Sequence, residues 1–412
     1  MIEQLFETAI GIAAPWYVDS VDFSLQERNL TIKIDFKRGT RFAVTDFEGE
    51  HPTHDTVRKS YRYLNFFQYN CVLEVRVPRI RLPDGSVRQV EPDFAGQLSG
   101  FSKMFEAFIL LMAREMSFSG VARTANLSVH RVMAICERYV DLAVAERSLS
   151  EVTELAVDET SKQRGHKYVT LVADADEHAV IFVTEGKDAK TLENFVDDFK
   201  SHDGDPNKIK SISMDMSKSF IKGAQDNLPN AQITFDKFHV VAHASKALDE
   251  TRRQEQKSDP TLKGMRWKLL RDPNDLTTED KAEVQAFIKQ IASKRTARAW
   301  SYREQLREIL QRKQVNVVRR MLLQWCTNVT RSKVEPMKKV AKMVRSHLDG
   351  IVAWTKTRQT NGFLEAINGL FQAAKRRARG FTRFSTIRTV IFLIAGKLDF
   401  STVNSCITEL SG

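Results

Sequence analysis

Leu155-Ala-Val-Asp158-Glu-Thr160 is a short apolar run that stops at a carboxylate. A run of this length between polar residues suits a buried strand, and the segments after it decide which sheet it joins. Tyr168-Val-Thr-Leu-Val-Ala173 and Ala179-Val-Ile-Phe-Val183 flank the turn Asp174-Ala-Asp-Glu-His178, which predicts a hairpin. Leu192, Phe195, Val196 and Phe199 recur at helical spacing. Ile209 to Met214 predicts a strand that ends at Asp215. A helix carrying Met216, Phe220, Ala224 and Leu228 follows, then a strand from Ala231 to Phe235. The order β-β-β-α-β-α-β makes a mixed sheet with helices laid against it.

That order is the arrangement of RNase H-like domains, here over residues 151–244. Residues 245–354 break the rhythm with an all-helical, strongly charged stretch, interrupted at Asp259-Pro260 and Asp272-Pro-Asn-Asp275. Arg295, Arg298, Arg303, Arg307, Arg312, Arg319 and Arg320 accumulate in it. Such a run is commonly a solvated helical surface, and in a basic chain it also suits phosphate. The α/β pattern resumes over 355–400. Phe363, Ile367, Leu370, Phe371 and Ala374 make one helical face, with Asn361, Glu365, Asn368, Gln372, Arg376 and Arg379 on the other. Glu365 lies in the first turn, where the helix dipole favours a carboxylate. Lys375, Arg376, Arg377 and Arg379 extend its face as a basic stripe, an apolar helix follows, and 401–412 is read as a tail.

Upstream, residues 93–150 read as helices, from Phe101, Phe105, Phe108, Ile109 and Met112 onward. Ser117 to Ala125, the turn Asn126-Leu-Ser128 and Val129 to Val140 have helix-turn-helix proportions, with Ser128 as N-cap of the second helix. That helix would offer His130 and Arg131 to a DNA major groove. Helical hairpins of this size also occur in proteins that never meet DNA. Residues 1–92 predict a small β module from Val21-Asp-Phe-Ser-Leu and Leu30-Thr-Ile-Lys-Ile-Asp-Phe36, joined by a turn at Gln26 to Asn29. Within it, Arg58, Lys59, Arg62, Arg76, Arg79 and Arg81 interleave with aromatics from Tyr61 to Tyr69. Basic residues among aromatics suit a DNA backbone; as plain structure they are the rim and core of a ribbon.

The bulk numbers agree with a polyanionic partner. The 412 residues carry a formal charge of +11 with a pI near 9.4, and Lys and Arg gain by displacing counterions from phosphate. Cys71, Cys136, Cys326 and Cys406 are far apart with no C-x-x-C pair, which fits a reducing compartment rather than a disulfide framework. No apolar run approaches the roughly 18 residues a bilayer span needs, and the acidic start Met1-Ile-Glu-Gln-Leu-Phe-Glu lacks a signal-peptide n-region. A cytoplasmic, nucleoid-associated protein with no membrane partner is expected.

Asp158, Asp215 and Glu365 would meet if the two strands end side by side and the later helix crosses that edge. Three carboxylates that close repel unless cations neutralise them. An oxygen-only set suits Mg²⁺ or Mn²⁺. Two such ions about 3.5–4 Å apart serve phosphodiester displacement. Singly, each carboxylate reads as a strand-end cap or a solvated helix residue, and His239 as a satisfied interior histidine.

Val157-Asp-Glu-Thr, Ser213-Met-Asp-Met-Ser-Lys-Ser-Phe220, Phe235-Asp-Lys-Phe-His-Val240 and Thr360-Asn-Gly-Phe-Leu-Glu-Ala-Ile-Asn-Gly-Leu370, followed by Lys375-Arg-Arg-Ala-Arg-Gly380, resemble bacterial insertion-sequence transposases of the ISL-three group. The likeness runs from about residue 55 to residue 398. It implies a DDE transposase in which Asp158, Asp215 and Glu365 ligate two divalent ions, with Asp236 and His239 nearby. It further implies binding of terminal inverted repeats, strand cleavage and transfer into target DNA, and a homodimer or larger assembly. Such proteins usually carry an N-terminal zinc ribbon; here Cys71 lacks partner cysteines, with only His51 and His54 nearby. Four soft or imidazole ligands are needed, so no zinc is expected. Two other readings stay open: a transposase-derived DNA-binding regulator, and an RNase H-like nuclease without strand transfer.

Overall fold

A computed structural model of the chain describes residues 1–411 except 45–46, 164–166, 293, 358–361, 379 and 382, with no side chain described at 162, 163, 167, 273, 377 or 411. It divides into two compact units, Met1–Arg147 with Gln372–Gly412, and Ser148–Phe371.

The first unit opens with α1 (Ile2–Ile10), then β1 (Trp16–Ser24), β2 (Asn29–Phe36), β3 (Arg41–Val44), β4 (Phe47–Phe66), β5 (Tyr69–Arg81) and β6 (Val87–Gln89). In β2 every second side chain, Leu30, Ile32, Ile34 and Phe36, is buried, as a strand with one face on a core requires. The sheet runs β1-β2-β5-β4-β3, with β6 on β5; β2 and β5 are parallel and the β4–β5 pair is antiparallel. Cys71 is buried in this core beside Leu73 and Val75, packing as a small apolar side chain.

Three helices follow: α2 (Lys103–Glu115), α3 (Phe118–Ala125) and α4 (Val129–Glu146). Ser117 and Ser128 cap α3 and α4, their hydroxyls accepting from Gly120 N and Arg131 N, and Asn126 makes the turn at φ 54°. The helix-turn-helix expected there is present, with α4 longer than the periodicity indicated. Fully buried Glu106 on α2 accepts from the backbone of Gln97 and Leu98 and from the Tyr139 hydroxyl at 2.7 Å. Asn404 donates to that hydroxyl and to the Lys103 carbonyl. The last residues are therefore docked on this unit rather than trailing from it.

The second unit holds β7 (Glu154–Gln163), β8 (Lys167–Asp174), β9 (Ala179–Glu185), α5 (Ala189–Ser201), β10 (Ser211–Met214), α6 (Lys218–Asn227) and β11 (Gln232–Phe235). Their sheet order is β11-β10-β7-β8-β9. β10 is parallel to β7 and β11, and β7-β8-β9 is an antiparallel meander. This is the expected mixed sheet. Helices α7 (Lys237–Gln256), α8 (Arg266–Leu270), α9 (Thr278–Gln290), α10 (Arg295–Gln311), α11 (Val315–Thr330), α12 (Glu335–Ser346) and α13 (Leu348–Thr357) come next, with short 3-10 turns at the two Asp-Pro breaks. Leu306, Val318, Trp325 and Val340 from these helices share one apolar core with Leu155, Val172, Phe195 and Ile212. After α13 comes α14 (Gly362–Arg377), and the division between units falls within it. Then α15 (Phe384–Ala395) packs on α4, and α16 (Cys406–Ser411) on α2.

Three details correct the sequence reading. β7 does not stop at Asp158, because β8 pairs along it with Asp158 opposite Leu171; it is the parallel neighbour β10 that ends there. The inward stripe of α14 is Leu364, Ile367 and Phe371, whereas Leu370 is 57% exposed. The helix is rotated so that Leu364 faces the core. Arg303, grouped with a charged helical surface, is fully buried and paired with Glu304 at 2.5 Å.

Candidate active site

Three elements carry the candidate carboxylates. Ser213 pairs with Ala156 across the parallel β10–β7 ladder, and Asp215 and Asp158 each lie two residues beyond that pair. Asp215 follows the last residue of β10, while Asp158 stands within β7 at the level where its parallel neighbour ends. α14 crosses at this level: the Asn368 side-chain amide donates to Asp158 Oδ2 at 2.7 Å. Glu365 lies three residues earlier on the same helix, exposed in its first turn.

The Asp158 carboxyl lies within electrostatic reach of the other two acids. Burial pushes the Asp158 carboxyl up to about 6, and the charges of Glu365 and Asp215 push the same way. The Glu159 N–H, which donates to Asp158 Oδ1 at 2.8 Å, and His239 oppose the rise. Glu159 is also raised, by burial and then by Asp215 and Asp158, with Lys187 opposing. Asp215 Oδ1 accepts from Met216 N at 2.6 Å. Among the described residues no three His, Cys, Asp or Glu side chains are gathered closely enough to hold a metal ion. The acids thus lie within electrostatic reach without forming a closed ligand cage. As a donor set they fit a hard divalent cation, because they offer only oxygens and their shared negative charge is what such an ion neutralises.

Two histidines flank the acids. His239 stands in the first turn of α7 and influences Asp158; its Nε2 is buried without a hydrogen-bond partner among the described residues. Asp236, expected near the site, is fully buried and caps α7, accepting from Phe238 N at 2.8 Å. His347, between α12 and α13, was not singled out from the sequence. Its ring packs on Phe235 at 5.3 Å, and burial lowers its pKa while Asp215 opposes. No local signal marks His347, since only tertiary packing brings it to Asp215.

The candidate DNA-contacting residues divide by what else they do. Arg58 is exposed on β4, opposite Arg76 of β5, and makes no hydrogen bond or ion pair among the described residues. Lys59 pairs with Glu91 at 3.3 Å, Arg79 with Asp55, and Arg76 with Asp35 at 2.8 Å, its guanidinium over the Phe36 ring. Arg81 reaches His54. Arg62 is committed to the fold: half-buried, it donates to the Cys71 carbonyl, Asn65 and Asn70 and lies over Phe105. His130 and Arg131 are exposed in the first turn of α4, with Arg131 held by the Ser99 carbonyl at 2.7 Å and the Phe101 ring. Lys375 is half-buried and Arg376 exposed. The Arg377 side chain and Arg379 lie outside the described residues.

Comparison with known proteins accounts for this layout. A family model described as a transposase matches residues 155–391, and another, the helix-turn-helix domain of transposase family ISL3, matches residues 90–140. Over 339 residues the chain is 25% identical to the transposase for insertion sequence element IS1001 of Bordetella parapertussis, covering 80% of this chain and 82% of that protein. Over 358 residues it is 25% identical to the transposase for insertion sequence element IS1557 of Mycobacterium tuberculosis, covering 78% of each. With a mixed sheet carrying two aspartates, a helix-turn-helix ahead of it and a family match across more than half its length, the chain belongs to the ISL3 family of insertion-sequence transposases.

Proposed function

We propose that this transposase binds the terminal inverted repeats of its own element, cleaves strands there and joins them to target DNA by a DDE mechanism, with Asp158, Asp215 and Glu365 as the acids. The observation that carries the reading is geometric: Asp158 and Asp215 each lie two residues beyond one β10–β7 pair, and Asn368, on the helix of Glu365, bonds Asp158, whose carboxyl is raised chiefly by burial. Such a carboxylate gains from a nearby cation. Two Mg²⁺ or Mn²⁺ ions held by this set would supply charge neutralisation at the reacting phosphate and a more acidic bound water. The protein's own groups hold and orient: strand β7 fixes Asp158, the end of β10 fixes Asp215, and exposed Glu365 swings in from α14. His239 and Asp236 border the site.

The functional segments proposed are a β module at 1–92, a helix-turn-helix domain at 93–150, and catalytic parts at 151–244 and 355–400 around the helical stretch 245–354, with the docked residues 401–412 closing the chain. Arg58, Lys59, Arg76, Arg79, Arg81, His130, Arg131 and the basic stretch 375–379 are proposed to meet phosphate or base edges, in a homodimer or larger assembly working on nucleoid DNA in the cytoplasm. Among the described residues no helix is long and apolar enough to cross a membrane. The test is a cleavage and strand-transfer assay on end-containing DNA with Mg²⁺ or Mn²⁺. Wild-type protein is expected to nick the ends and join them to a target, and Glu365→Gln to do neither. Cleavage undiminished in Glu365→Gln would remove that residue from the set. End binding should weaken steeply with salt, and Arg58→Ala should reduce the slope by about one counterion.

A further inference from the structure

We propose that Asn368 is a positioning residue for the metal-binding carboxylates, an inference that rests on the reading of Asp158 above. Asp158 is held at both oxygens: Oδ1 accepts from the Glu159 backbone at 2.8 Å, and Oδ2 from Asn368 Nδ2 at 2.7 Å. The first bond comes from its own strand. The second comes from the helix that carries Glu365, three residues away, so Asn368 ties the strand acid to the helix acid. A carboxylate carrying two donors cannot rotate freely, and its remaining lone pairs point in fixed directions.

The amide's orientation follows from charge. An ionised Asp158 accepts only, so Asn368 must turn its NH₂ toward it. This leaves Asn368 Oδ1 buried with no hydrogen-bond partner among the described residues. Unpaired buried polar atoms are costly and often lie where a ligand, ion or water completes the set. His239 Nε2, from α7, is a second unpaired buried atom near Asp158. An amide oxygen is the right donor for a hard divalent cation or for water bound to one. Asn368 thus does two things: it aims Asp158 and adds an uncharged oxygen where a further carboxylate would add repulsion. Its spacing from Glu365 places both side chains along one edge of α14, so docking one docks the other.

The test uses full-length protein and Mn²⁺, with free Mn²⁺ measured by electron paramagnetic resonance and thermal melting run alongside. Asn368→Ala removes the amide, and Asn368→Leu keeps its bulk without donor or acceptor. Both are expected to weaken Mn²⁺ binding by about 10–100-fold, the range for groups that orient metal ligands. The Leu variant should melt near wild type, which separates the bond from the packing. End cleavage in both should fall at low Mn²⁺ and recover partly as Mn²⁺ rises, with the KM for DNA unchanged. Wild-type Mn²⁺ affinity in both variants would overturn the proposal, and so would a loss in Ala that Leu restores. Asp158→Asn serves as the reference. If it alone lowers Mn²⁺ binding, the positioning role fails and the active-site reading stands; if it too binds Mn²⁺ normally, the reading of Asp158 itself fails.

Discussion

Asp158→Asn is expected to lower strand cleavage by about 10³-fold or more, roughly 4 kcal/mol of barrier, while binding to end-containing DNA stays intact. The same substitution should make the metal-free protein more resistant to heat above pH 6. The first effect follows from its proposed place among the metal ligands; the second follows because burial, with Glu365 and Asp215 adding to it, pushes the Asp158 carboxyl up to about 6 from its ordinary 3.8. A group whose folded value lies above its unfolded value supports the fold while protonated, and that support is lost as pH rises through the folded value. The penalty of ionised Asp158 therefore grows between about pH 4 and 6 and is complete above it. Asparagine is nearly the same shape and never ionises. The difference in melting temperature between variant and wild type should be small at pH 4, widen toward pH 6 and level off beyond. Mn²⁺ affinity of the wild type should fall as pH drops below about 6, since protons and cations compete for one carboxylate. A variant that cleaves at the wild-type rate, or melts below wild type at pH 7.5, would contradict this account.

Gly350→Val should destabilise the second unit by about 3 kcal/mol, or roughly 6–12 °C in melting temperature. A Cβ at Gly350 would sit 2.4 Å from the Phe235 ring and 3.3 Å from the Ile233 carbonyl oxygen. Helix propensity argues the other way, because glycine inside a helix costs up to about 1 kcal/mol relative to alanine. A contact that close outweighs it: α13 must lift from β11, or Phe235 must leave the core that it shares with Ile212 and Val240. Alanine at 350 should show a smaller loss, since the clash and the propensity gain partly cancel. Phe235 directly precedes Asp236, the cap of α7, and supports the ring of His347. The valine variant should therefore also lose cleavage more steeply with temperature than wild type. Denaturant or calorimetric melting checks the stability part, and a wild-type midpoint for Gly350→Val would sink it.

Much of the second unit's mixed sheet was legible because its signals are local. The hairpin before β9, the Leu192-Phe195-Val196-Phe199 face of α5 and the Ser128 cap are written in residue spacing. That β7 and β10 are strands was legible for the same reason, but the apolar run ending at Asp158 suggested a strand end where β7 in fact continues, paired with β8, to Gln163. What stayed hidden depends on partners far along the chain. Nothing local marks Glu106 as buried; Gln97, Leu98 and Tyr139 close around it only in the folded chain. Arg62 reads as a DNA contact until Asn65, Asn70 and the Cys71 carbonyl engage its guanidinium. The rotation of α14 that buries Leu364 and exposes Leu370 is set by what the helix packs on, and apolar residues at 363, 364, 367, 370 and 371 allow either face. The helices from α10 to α13 read as part of a separate charged block, yet their apolar faces complete the core of the sheet, whereas α9 packs in small clusters of its own.

The central claim is that Asp158, Asp215 and Glu365 share divalent ions. Anomalous diffraction from crystals of the full-length protein with end DNA and Mn²⁺ tests it most directly. The account predicts peaks with oxygens of all three carboxylates about 2.1 Å away. Peaks ligated by other residues, or a Glu365 that stays away from ions bound at the two aspartates, would contradict it.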